Sequence, residues 1–181
     1  MAQIYSTAHH TIIHLGSLTE CYEIILQAAP SNTTSVVSRP STTGDLENLA
    51  ANGLLSLPWF SRVWIFQELV LSRDPWVQCG NLRGRWTDLC NLLVDPGAGS
   101  YQKGRPRELQ VLADMNYARG LNQKIIVHLT ARRGLGATDP RDFIFAHMFL
   151  AADTDTLVHY AKVDYTKSCA EVFEDAARFL L

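Results

Sequence analysis

No stretch of this chain reaches the roughly 20 consecutive apolar residues that a membrane-spanning helix needs, so no membrane partner is expected. Charge of one sign is also lacking. Lys and Arg number 16 against 18 Asp and Glu, and the net charge of -2 offers no basic face for nucleic acid. The opening MAQIYSTAHH has neither the basic flank nor the apolar centre of a secretion signal, which makes a cytoplasmic location the expectation. The four cysteines, Cys21, Cys79, Cys90 and Cys169, lie far apart without a metal-type pair and read as structural thiols. His9 and His10 are adjacent, so they cannot share a helix face and do not form a metal site. No segment repeats. Disorder is excluded too, because 47% of the 181 residues are hydrophobic and 19% charged, enough apolar material for one domain-sized core.

Several elements can be placed from pattern alone. Residues 2–8 read as the last turns of a helix, and Thr11 to Gly16 (TIIHLG) as a short β-branched strand buried in a parallel sheet. Ser17 and Glu20 form a capping box at the head of SLTECYEIILQAA. Residues 30–44 and 95–107 are rich in glycine, proline and small polar side chains and read as loops. Asp45 to Leu55 is a weak helix, and Glu108 to Leu129 a helix interrupted near Gly120. WVQCG (Trp76 to Gly80) reads as a second buried strand, and RWTDLCNLL as a short amphipathic helix. Asp139, Pro140 and Asp142 predict a boxed helix start. Ser168 with Glu171 predicts another, with Phe173, Ala176, Ala177 and Leu180 on one face of that last helix. Two strands do not make the open sheet that buried strands require, so the chain reads as part of a domain.

The helix expected over 58–72 poses a chemical question. From Val63 to Leu71 it is apolar except for Gln67 and Glu68, and Glu68 lies four residues after Trp64, on the same face. A carboxylate beside an indole in apolar surroundings is the kind of group whose ionisation shifts, as catalytic carboxylates do. The alternative from the same residues is an ion pair with Arg62, Arg73 or Arg141 that ties the helix into the fold.

Four stretches resemble the fungal heterokaryon incompatibility (HET) domain in that family's order. They are MAQIYSTAHHTIIHLG, SRVWIFQELVLSRDPWVQCG, TDPRDFIFAHMFLAAD and VDYTKSCAEVFEDAARFLL. Departures accompany the match. The family's opening S-Y-x-W-G and I-D-x-x-C-I-x-Q strands are lacking, Met1 stands at an internal methionine of the pattern, and Phe149 replaces a usual glycine. The expectation is therefore a partial HET domain over 1–181 that lacks the family's N-terminal strands. HET domains in turn look like relatives of TIR domains. The resemblance implies an incomplete TIR-like, doubly wound α/β domain with few parallel strands and mostly helical content.

It also implies a function. Several TIR domains cleave NAD with a glutamate in a W-x-x-x-E helix, the spacing of Trp64 and Glu68 here. NAD would then be a substrate, with no cofactor required. Glu68 would be catalytic, with Trp64, Gly16, Ser17 and Arg141 binding substrate, and Gly16 and Ser17 forming a lip at the end of the first strand. Nicotinamide departs neutral from a cationic pyridinium, so no general acid is needed, and one carboxylate to steady the ribosyl cation would suffice. The other reading is a non-catalytic module that assembles with itself or with a sensor domain of a parent protein. Arg132 and Arg133 beside Gly134-Leu135-Gly136 are a weak candidate for a diphosphate seat, and Asp139 and Asp142 read first as caps. Cys79 has no histidine tied to it by a motif and reads as packing.

With so few strands, the isolated chain is expected to melt broadly or to bind hydrophobic dyes; a sharp cooperative transition by calorimetry would contradict this. Limited proteolysis should cut first within 30–44 or 95–107, and early cuts within 58–72 or 140–150 would contradict the assignment of elements.

Overall fold

A computed structural model describes residues 2–17, 23, 25, 43–94 and 106–181. Helix α1 (Ala2–Thr7) leads into β1 (Thr11–His14). After α2 (Thr43–Asn52) and a 3-10 turn (Leu54–Ser56) come α3 (Pro58–Ser61) and α4 (Ile65–Leu71). Strands β2 (Pro75–Cys79) and β3 (Leu82–Arg85) follow, then α5 (Trp86–Leu93) and α6 (Arg107–Ala118). The remainder is helical: α7 (Ile125–Ala131), α8 (Asp142–Met148), α9 (Thr154–Tyr160) and α10 (Cys169–Leu180). The fold is thus mixed α/β and mostly helical. The Ser17–Glu20 capping box and nearly all of the loops at 30–44 and 95–107 lie outside the described residues.

The sheet has the order β1-β2-β3. β1 runs parallel to β2, with Thr11 opposite Pro75 and His14 opposite Gln78, and β3 returns antiparallel. That third strand is a departure from the two expected. Its turn is Gly80-Asn81, and Gly80 has φ 55°, the positive value that a two-residue hairpin loop asks of its first residue. β1 also departs from expectation. Ile13, and Leu15 just after the strand, are buried while Ile12 faces outward, and among the described residues β1 stands at the edge of the sheet.

The helix expected over 58–72 is two helices. Arg62 adopts extended geometry and bridges to Gly136, with Val63 N–H donating to the Gly136 carbonyl at 2.9 Å and Gly136 N–H to the Ser61 carbonyl. These bonds replace the helical ones at the break. Arg119 then closes the far end of α4, donating to the carbonyls of Leu69 and of Ser72, the latter at 3.0 Å, as a cation at a helix C-terminus should.

The start of α8 also differs. The Asp139 carboxylate binds the Arg141 backbone N–H and guanidinium instead of completing a box with Asp142. The Ser168 box on α10 forms as expected, with Glu171 accepting from the Ser168 N–H at 2.8 Å. Phe149 ends α8 at φ −80° with its ring exposed, a position that makes no demand for glycine.

Two apolar cores result. The larger lies between the sheet and α2 to α6, with Phe66, Leu69, Val77, Trp86 and Leu112 fully buried. The smaller joins α7 to α10 through Phe145, Met148, Leu157 and Val172. Truncating a ring as deeply buried as Phe66 or Phe145 to alanine costs about 3–5 kcal/mol.

Polar groups are buried between the cores. His147 and His128 stack with ring centres 6.2 Å apart, and both rings lie against Phe66. Arg132 sits over the Phe66 ring and pairs with Asp114 at 2.9 Å. Burial, reinforced by the charge of Arg132, drives the pKa of His147 down to about 3 and lowers that of His128. His147 therefore stays neutral in the fold while the unfolded chain takes up a proton below about pH 6.5. Its contribution to stability is whole above pH 6.5 and is lost as pH falls toward 3, at on the order of 1 kcal/mol per pH unit. Urea melts of the wild type should show that acid-side loss, and His147→Phe should flatten it; an unchanged slope would contradict the assignment.

Candidate functional site

Trp64 and Glu68 lie on α4's first turns, held in place by the Arg62–Gly136 crossing just before them. Glu68 N–H donates to the Trp64 carbonyl at 3.3 Å, which sets the two side chains on one face. Glu68 is half-buried and looks toward α1. There the Tyr5 hydroxyl meets it. Burial raises the Tyr5 pKa, and the Glu68 carboxylate raises it further by charge and by hydrogen bonding, against an opposing effect of Arg62. Among the described residues no arginine forms an ion pair with Glu68. The ion-pair partners considered from sequence lie elsewhere. Arg141 is committed to Asp139, and Arg62 and Arg73 are exposed.

The indole of Trp64 points to the other core. Its Nε1–H donates to Asp142 Oδ2 at 2.8 Å, and Tyr165 donates its hydroxyl to Asp142 Oδ1 at 2.6 Å. Burial and the Asp142 hydrogen bond push the Tyr165 pKa up to about 12, so Tyr165 remains a donor throughout the physiological range. Arg141, next in chain to Asp142, is nearly saturated. Its Nε and Nη2 bind Asp139, and its Nη1 donates to the carbonyls of Tyr165 and Lys167, both at 2.7 Å. A guanidinium so occupied has little left for a ligand.

Gly16 and Ser17 end β1 as expected, beside the end of β2. Gly80 N–H donates to the Gly16 carbonyl at 2.9 Å, and the Cys79 thiol lies 3.2 Å from the Ser17 carbonyl. Burial raises the Cys79 pKa, which keeps it a thiol and unsuited to nucleophilic attack. The structure thus joins Trp64 with Glu68, and Trp64 with the Arg141–Asp142 turn. Among the described residues, no hydrogen bond links Gly16 or Ser17 to either group. Neither of the two described clefts is lined by Glu68, Trp64, Gly16 or Ser17.

Sequence reasoning missed Tyr5 and Tyr165. Both stand inside the motifs quoted above, in the I-Y and D-Y pairs, yet neither motif states which carboxylate its tyrosine meets. The Arg132–Gly136 stretch does not offer a free backbone cradle for a diphosphate, because the N–H groups of Leu135 and Gly136 already donate to the carbonyls of Arg132 and Ser61.

Removing the shared acceptor tests the Trp64–Asp142–Tyr165 connection. Asp142→Ala strands two donors and should cost about 2–4 kcal/mol by urea denaturation. Tyr165→Phe should cost less, about 1 kcal/mol, since one donor to Asp142 survives. Losses that simply add in a Trp64→Phe, Tyr165→Phe double-mutant cycle would show that the two do not communicate through Asp142.

No curated protein and no solved structure matches this chain. A family model described as heterokaryon incompatibility protein (HET) does match, over residues 1–68, a span that begins before α1 and ends at Glu68. Both partners of the Tyr5–Glu68 contact fall inside it, and over that segment the chain is similar to the HET family.

Proposed function

We propose that this chain carries a HET domain that acts as an effector of non-self recognition and cell death, and that Glu68 supports TIR-like hydrolysis of NAD. The observation that carries this reading is the environment of Glu68. A half-buried carboxylate held by a phenol, with no arginine of the described residues paired to it, is not committed to a structural ion pair.

In the reaction the bond between ribose C1′ and the nicotinamide nitrogen breaks, and its electron pair leaves with neutral nicotinamide. The ribose carries the developing positive charge, which a nearby carboxylate stabilises more in the transition state than in the ground state. Water then attacks C1′ and releases a proton, giving ADP-ribose. Glu68 would steady the cation and hold the ribose hydroxyls, while Trp64, fixed by Asp142, forms the adjoining wall. Gly16 and Ser17 would contribute a lip at the strand ends. Arg141 serves this reading as the brace of the Asp142 turn, given its occupied donors.

A second reading rests on the sheet edge. β1 is an edge strand with Ile12 exposed, and such an edge is a template for pairing with a second copy. Assembly with another copy or with a sensor domain would then carry the signal without catalysis.

Glu68→Gln separates the two. It keeps volume and an acceptor for Tyr5 while removing charge. In a full-length parent protein, this substitution should abolish NAD loss and killing with the melting temperature nearly unchanged. Killing that persists in a folded Glu68→Gln protein would end the catalytic reading and favour assembly.

A further inference from the structure

Three guanidiniums meet at the turn that follows α7. Arg132 is buried beneath it, paired with Asp114 and with no acceptor for its Nε–H. Arg107 reaches across from α6, donates to the Arg133 carbonyl at 3.3 Å and lies against Gly134, where a side chain would collide with it. Arg133 is exposed, and among the described residues no acidic side chain pairs with it. Two carboxylates stand nearby. Asp114 is taken up by Arg132, and Glu108 lines the neighbouring cleft beyond Gly134. The turn is therefore positive on balance.

This positive turn closes one end of a cleft of about 420 Å³, within the size range of small-molecule sites. The remainder of the lining is mostly apolar. Leu129 of α7, Phe143 and Ile144 of α8, and Phe173, Ala177 and Leu180 of α10 form its walls. The α10 residues belong to the one face that the sequence pattern marks on that helix. Only Val172 and Ala176 of that helix are buried, and Phe173 is 42% exposed. Phe173 and Leu180 thus line an open cleft instead of closing a core.

We propose that this cleft binds an amphipathic carboxylic acid, with its apolar body between α8 and α10 and its acid group on Arg133 at the mouth. Two features select that chemistry over a purely apolar ligand or a cationic one. The walls offer few polar partners, so the body must be hydrocarbon or aromatic. Among the described residues, the charge at the rim without an acidic partner is the Arg133 guanidinium, whose fork fits a carboxylate. The site is independent of Glu68, so its test does not depend on NAD cleavage.

The test is calorimetric titration of the chain with dodecanoate below its micelle-forming concentration. Two controls accompany it: dodecyltrimethylammonium, which keeps the body and reverses the head, and acetate, which keeps the head alone. Saturable one-to-one binding of dodecanoate is expected, with the cationic analogue at least about tenfold weaker and acetate not binding. Arg133→Glu, at an exposed position, should weaken dodecanoate about tenfold or more at unchanged melting temperature. Ala177→Trp should fill the cleft and abolish binding. Absence of dodecanoate binding, equal affinity for both amphiphiles, or an Arg133→Glu protein that binds as the wild type does would each overturn the proposal. Should Ala177→Trp fail to fold, the head-group comparison and Arg133→Glu decide the matter alone.

Discussion

The hydrogen bond from the Trp64 indole to Asp142 joins two bodies of apolar packing that also meet where His128, His147 and Arg132 surround Phe66. Trp64 packs against both cores, and its N–H is one of the polar ties between them. Asp142 can accept it because the acid is kept away from the helix-capping role its position suggests. Asp139 takes over the Arg141 backbone, Arg141 braces the segment carrying Tyr165, and Tyr165 completes the acceptor's coordination. Each member is placed by the next. A tryptophan is well suited to such a seam, since its ring supplies apolar contact on two sides while one edge still satisfies a buried carboxylate.

Glu68, one turn after Trp64, faces α1 and Tyr5. The polar pair Gln67-Glu68 in an apolar helix thus divides its tasks. Gln67 is buried with the core, while Glu68 sits half-buried at the seam with the N-terminal helix.

Local signals in the sequence proved dependable where the physics is local. The Ser168–Glu171 box, the break near Gly120 and the β-branched TIIH strand all follow from neighbours within a few residues, and the structure contains each of them. What escaped was set by distant partners. The break at Arg62 exists because Gly136 crosses there, some 74 positions away, and no helical propensity encodes that. The strand β3 was a different omission. Its Gly80-Asn81 turn is a hairpin signal, overlooked because the following LRGR carries only one large apolar side chain. At the site, the sequence placed Trp64 beside Glu68 through helical spacing. It could not show that Tyr5 is the nearby phenol or that Arg141 is already bound, since both depend on tertiary contacts.

The distances along the chain between these partners have a consequence for the order of events during synthesis. Trp64 leaves the ribosome 101 residues before Tyr165, and Ser61 emerges 75 residues before Gly136. At about 5–20 residues per second, the segment from 61 to 71 waits roughly 5 to 20 s for the last of its partners. Throughout that interval Phe66 and Leu69, fully buried at the end, have only part of their surroundings. A nascent chain of this design therefore shows a sticky apolar helix to the cell before it can hide it, and the rate at which the C-terminal half arrives sets how long that exposure lasts.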